Sequence, residues 1–207
     1  MMRRRPTAVG LVSLVLVGCV VVTTATACSG DDSSPSAPAP TGSPTGSPAA
    51  TASAEPVETE ASIDRVDGDL ADVGRDRLQA RVVRAVDSWI DGAYGGAYPR
   101  DDFSGAFDTF TEGAGSRATA DEDLMSNTAL GLRLDDVLPV RRRVRIDVLG
   151  VEGRAVAVTA RVDLAFELSG EITRTDKISG SLYLTFEKSD GDPGWRVFGY
   201  DMKRKEV

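Results

Sequence analysis

Histidine is absent from the 207 residues, and cysteine occurs only at Cys19 and Cys28. Without histidine the chain cannot form the usual His/Cys zinc sites, a Ser-His-Asp triad or a Cys-His dyad. No zinc site of that type is therefore expected, and no metal ligand or cofactor is assigned. With both cysteines near the start, everything after residue 28 must fold without disulfides, on its hydrophobic core alone. Basic charge is also in short supply, with 24 Lys and Arg against 32 Asp and Glu, a net charge of −8. Arg3, Arg4 and Arg5 lie ahead of Cys28 and every carboxylate lies after it. An exported product would thus be more acidic still. Nucleic-acid affinity rests on neutralising phosphate, so nucleic acid is excluded as the main partner.

Long apolar runs are scarce too. The one that exists, Ala8 to Ala27, follows the three arginines. A positive segment, an uncharged apolar run and small residues at its end form the pattern of a secretory signal. The run closes on Ala25-Thr26-Ala27-Cys28-Ser29-Gly30, followed by Asp31 and Asp32. That sequence resembles the bacterial lipobox, with Ala25 where the motif usually has Leu. The resemblance implies a lipoprotein signal over residues 1–28, cut just before Cys28, so that Cys28 becomes the first residue of the mature protein and carries a diacylglyceryl thioether, a palmitate-type anchor in the cell membrane. Two acyl chains suffice for stable anchoring where one does not. Leu16-Val17-Gly18-Cys19 is the competing site, although it would leave Val20-Val21-Val22 where a polar tether belongs. A third reading keeps the run as a membrane span, which needs ~20 apolar residues. The arginines then stay cytoplasmic, so each reading puts the remainder on the extracytoplasmic face.

Residues 29–62 are dominated by Ser, Pro, Thr, Ala and Gly, with Val57 the only large aliphatic residue and a Thr-Gly-Ser-Pro repeat at 41–48. Such a stretch cannot bury enough apolar surface to order itself and is expected to be a disordered spacer. Its root-mean-square span is on the order of 30 Å. The domain proper is expected over 63–207.

Within that domain, Leu70, Val73, Leu78, Val82, Val86, Trp89 and Ile90 recur at helical spacing and predict a helix from Asp69 to Asp91. Asp67 or Asp69 would cap it and Gly92 would end it. A second helix is expected from Asp101 or Asp102, carrying Phe103, Phe107 and Phe110 and stopped by Gly113 and Gly115. A third runs from Thr119 to Ser126, with Thr119 and Glu122 as a capping box. The period then falls to two, giving strands at Val140–Leu149, Val156–Leu168, Ile178–Phe186 and Trp195–Met202. Short turns between them suggest an antiparallel meander with one face on a core.

Helices followed by an antiparallel sheet make an α+β fold. This order, with Gly194-Trp195-Arg196-Val197 and Gly199-Tyr200-Asp201 on the last strand, resembles the nuclear transport factor 2-like superfamily over residues 64–204. That superfamily includes polyketide-cyclase-like and ketosteroid-isomerase-like proteins. The resemblance implies a cone whose concave side accepts a small apolar ligand. Trp89, Phe103, Phe107, Phe110, Phe166, Phe186 and Trp195, with Tyr94, are the aromatics available to line it. The plainer reading makes them core filler.

An isomerase would need a carboxylate base facing a hydroxyl donor. Asp163, Asp176 and Asp201 lie on strands, and Tyr183 and Tyr200 are candidate donors. Alternation sends Asp163 and Asp176 to opposite faces, and no pair stands out. Asp64, Asp67, Asp69 and Asp72 lack the spacing of a calcium loop and read instead as helix caps. Arg141, Arg143 and Arg145 share a strand face, and Lys203-Arg204-Lys205 closes the chain. Both could meet anionic lipid, but a solvated face accounts for them. The sequence thus describes a membrane-tethered, non-catalytic module that binds a protein partner or a small apolar ligand. An isomerase- or cyclase-like enzyme is the alternative.

Overall fold

Two segments, residues 57–188 and 193–207, are described by the computed structural model. The signal stretch with Cys19 and Cys28, and the spacer as far as residue 56, lie outside them. The described fold is α+β, with a four-element sheet in the order β1-β2-β3-β4. Strand β1 is Glu60–Leu70, β2 is Leu134–Gly170, β3 is Arg174–Glu187 and β4 is Gly194–Glu206. Helices α1 (Arg75–Ala93), α2 (Glu112–Ala120) and α3 (Glu122–Met125) fill the connection between β1 and β2. No helix among the described residues is long and apolar enough to cross a membrane.

β2 has 37 residues, which laid straight would reach ~120 Å. It is instead folded on itself at Glu152 and Gly153, whose φ angles are 51° and 75°. Positive φ at two successive turn residues is what a tight hairpin demands. The arms meet again at their far end, where Glu171 N donates to Arg133 O at 3.0 Å. The two strands expected at Val140–Leu149 and Val156–Leu168 are these arms.

The sheet is mixed rather than antiparallel, because β1 pairs parallel with the first arm of β2, from Glu60 opposite Arg143 to Leu70 opposite Gly153. β2 with β3 and β3 with β4 are antiparallel. Sequence reading missed β1 entirely. It begins inside the stretch expected to be spacer and ends where the first helix was expected to start. The segment has no clean alternation, and a parallel edge strand draws its stability from a partner that is 83 residues away in sequence. Gly68 makes the pairing possible: its φ is +84°, and a Cβ there would sit 2.2 Å from Gly150 O.

The first helix therefore starts at Arg75, not Asp69. Leu70 belongs to the sheet, and Val73 stands 96% exposed in the connecting loop. Asp67 and Asp69 cap nothing: Asp67 pairs with Arg65 at 2.9 Å, and Gly74 is the N-cap. From Leu78 onward the expected stripe holds, with Leu78, Val82, Val86, Trp89 and Ile90 buried.

The second expected helix is reduced to a 3-10 turn at Ser104–Phe107. Tertiary pairing takes over beyond it: Thr111 N donates to Val197 O, and Val197 N to Thr109 O, both at 2.9 Å. These bonds cover part of the β4 edge, an alternative that a local helix would have forgone. Gly113 and Gly115, expected to stop a helix, lie inside α2, whose Thr111 cap accepts from Ala114 N. Thr119 is likewise no cap; it sits in α2 and its hydroxyl donates to Gly115 O at 3.0 Å.

One face of α1 and the inward faces of the strands form the core. Val144, Ile146 and Val148 come from one arm of β2, and Val158 to Leu168 from the other. Ile178, Leu182 and Leu184 come from β3. On β4 the inward set changes parity, from Trp195 and Val197 to Tyr200 and Met202. A bulge opposite Tyr183 and Leu184 explains it, pushing Phe198 outward to 52% exposure. The last strand reads as apolar on both faces for this reason.

Candidate functional site

The sheet carries polar chemistry at one end of β3 and β4 and an open groove at the other. At the first end, Asp176 shares the inward parity of Ile178 and Leu182 and is fully buried. A carboxylate in that position needs a cation. Arg204 supplies it from β4, with Nε 2.8 Å from Oδ2 and a terminal nitrogen also on that oxygen. Arg174 adds a second, its Nε 2.8 Å from Oδ1.

Arg204 then ties the sheet to α3 and the loop after it. It donates to Asp123 O at 2.9 Å, Ser126 O at 2.8 Å and Asn127 Oδ1 at 2.6 Å. Asn127 donates in turn to the Tyr98 hydroxyl at 3.3 Å. Tyr94 lies against this network, stacked on Phe166 with ring centroids 5.0 Å apart, its hydroxyl donating to Leu124 O at 3.0 Å. Burial pushes the Tyr94 hydroxyl well above its ordinary value, and Tyr98 shifts the same way for the same reason. The arrangement holds both carboxylate oxygens of Asp176 against guanidinium groups.

Of the other candidate bases and donors, Asp163 lies on the outer face, paired with Arg141 at 3.2 Å. Tyr183 is outside as well, 6.4 Å from the Phe198 ring. Tyr200 is buried and donates to Asp121 at 2.7 Å; burial, then that carboxylate, raise its pKa. Arg143, from the arginine stripe, meets Glu60 at 3.0 Å. Among the described residues no three His, Cys, Asp or Glu side chains gather as a metal site.

At the opposite end lies a groove of about 480 Å³. Its apolar walls are Leu70, Leu78, Val156, Phe186 and Trp195, and its rim carries Arg77, Arg81, Arg154 and Lys188. Phe186 and Trp195 meet edge to face at 5.9 Å. The four rim cations are exposed, and among the described residues none has a hydrogen-bond or ion-pair partner.

Compared with family models, with curated proteins and with solved structures, the chain finds no match. The site must therefore be judged on its own geometry.

The seven aromatics are not gathered around one cavity. Trp89, Phe110 and Phe166 are buried in the core, and Trp89 Nε1 donates to Met125 O at 3.0 Å. Phe103 is buried beneath the Arg100 guanidinium, 3.9 Å from its ring centroid. Half-buried Phe107 packs on Phe110 at 5.3 Å. Only Phe186 and Trp195 of the seven line the groove. Sequence reasoning flagged Asp176 and the basic run containing Arg204, but not their union. Alternation along β3 and β4 was the available signal: Asp176 and Arg204 keep the parity of Leu182 and Met202, so both point inward.

Proposed function

We propose that the chain is a lipid-anchored extracytoplasmic protein, held through Cys28, whose nuclear transport factor 2-like domain is a non-catalytic binding module. A small apolar ligand or a protein partner is its target, and no catalytic residue or cofactor is assigned. A long helix laid across a bulged sheet, with the final strand carrying Trp195, supports the cone reading. The observation that carries the absence of catalysis is Asp176. The oxygens of this buried inward carboxylate are occupied by Arg204 and Arg174, whereas an isomerase-like base must face its substrate opposite a hydroxyl donor. The isomerase- or cyclase-like alternative ranks second because, among the described residues, Asp163 and Asp176 are both paired with arginines.

Two measurements test the reading. Metabolic acyl labelling should mark the wild type and be lost, with membrane retention, in Cys28→Ser. Acylation that survives this change moves the anchor to another residue. Capture from membranes, with mass spectrometry of proteins and extracted small molecules, should return a specific companion. An empty result in both channels overturns the binding module.

A further inference from the structure

Four other grooves on the described surface differ from the one beside Trp195 in how their charges are arranged. Between β1 and α1, Asp64 and Asp76 accompany Arg65 and Arg75. Around Arg142 stand Glu58, Asp87 and Asp91, and Arg174 shares its groove with Glu167. In each of these three, both signs are present and most cations are paired. The groove walled by Phe186 and Trp195 has Arg77, Arg81, Arg154 and Lys188 on its rim and no carboxylate among its described lining residues. The fourth, of about 370 Å³, adjoins it through Arg81 and Trp195 and adds Arg84, again with no carboxylate among its described residues. In a chain of net charge −8, four cations with no partner among the described residues stand around one apolar hollow.

From this we infer that the groove binds a single-chain anionic amphiphile of the fatty-acid type. The alkyl chain lies against Leu70, Leu78, Val156, Phe186 and Trp195, and the anionic head meets the rim guanidinium groups. The inference rests on the binding-module reading above and names its ligand class and its site. Each half of the ligand has its own counterpart. Apolar walls exclude a bare inorganic anion, which would lose hydration without gaining contacts there. Exposed guanidinium groups pair with carboxylate or phosphate through two parallel hydrogen bonds. The volume falls within the ordinary range for small-ligand sites, roughly 300–1,000 Å³.

The shape favours a free amphiphile over the surface of a bilayer: a concave groove with apolar walls encloses one alkyl chain, whereas a bilayer surface offers headgroups to an exposed face.

Trp195 makes the site measurable: although only 6% exposed, it lines the groove, whereas Trp89, fully buried, does not. The full chain in nanodiscs of uncharged phosphatidylcholine should show saturable quenching of tryptophan emission by ω-bromoundecanoate. ω-Bromoundecanol, which lacks the charge, should bind at least about tenfold more weakly, and inorganic phosphate should not compete. Joint replacement Arg77→Gln, Arg81→Gln and Arg154→Gln should weaken bromoundecanoate binding by about tenfold or more. The Lys-for-Arg version keeps the charge but loses the two-pronged pairing, so it should bind more weakly than the wild type and more tightly than the Gln version, which separates lost charge from lost fold. Equal binding of acid and alcohol, or affinity unmoved by the Gln variant, overturns the assignment. A response only in phosphatidylglycerol discs, without added bromoundecanoate, overturns it in favour of a lipid surface. Should the groove fail while capture still yields a companion, the binding module stands and the site is elsewhere. Should bromoundecanoate bind while Cys28→Ser keeps its acylation, the groove stands and the anchor falls.

Discussion

The two ends of β3 and β4 treat charge in opposite ways. At the Asp176 end each guanidinium is committed: Arg204 holds Asp176, three backbone or amide oxygens and the loop after α3, and Arg174 bridges Asp176 to Glu206 at 2.6 Å. At the Trp195 end four cations point into solvent with no partner among the described residues. Burial accounts for the difference. An ion taken out of water must be paired, and removing its partner is punished heavily. An ion left in water costs nothing to leave unpaired, so it is available to something else. One end is a lock, and the other is free to bind.

Asp176→Asn should break the lock with the largest effect, leaving Arg204 buried and uncompensated. A loss of about 3–5 kcal/mol is expected from urea unfolding followed by tryptophan emission. A loss below about 1 kcal/mol would mean that water reaches Arg204 and that the closed end is not closed. Gly68→Val comes next. Its side chain would run into Gly150 O from a left-handed backbone, at a cost of about 1–3 kcal/mol. Because Gly68 precedes Leu70, this variant should also weaken bromoundecanoate binding.

A smaller effect belongs to Tyr94, whose hydroxyl is held above its ordinary value of 10.0 by burial. Below pH 10 both folded and unfolded chains keep the proton and its contribution is intact. Above it the unfolded chain ionises first, so stability drains as pH rises towards the folded value. Tyr200 acts in the same direction. Tyr94→Phe should cost about 1 kcal/mol at neutral pH for its lost bond to Leu124 O. The same variant should flatten the alkaline decline, read by denaturation at successive pH values alongside tyrosinate absorbance. The smallest effect sharpens the contrast most. Arg77→Gln with Arg154→Gln should change stability by no more than about 0.5 kcal/mol, while weakening the anionic ligand. A large destabilisation there would show that the rim cations are structural after all.

Much of the fold was readable where burial imposes a period. The stripe from Leu78 to Ile90 and the alternation from Val156 to Leu168 each mark a face turned to the core. Legibility failed wherever a distant partner outbid local preference. Ser104 to Thr111 gave up a helix to cover β4, and Glu60 to Leu70 became a strand only because Arg143 to Gly153 lay alongside. Among the aromatics, spacing alone does not separate Trp89, which lies in the core, from Trp195, which lines the groove.

Taken alone, the sequence determined the α+β class, the inward sets of the long strands and the exclusion of histidine-dependent chemistry. It did so because residue type and short-range period are properties of the chain itself. Tertiary structure decided the parallel edge strand, the union of Asp176 with Arg204 and the cation-rimmed groove. Each depends on bringing segments tens of residues apart within a few ångströms, which no local pattern encodes.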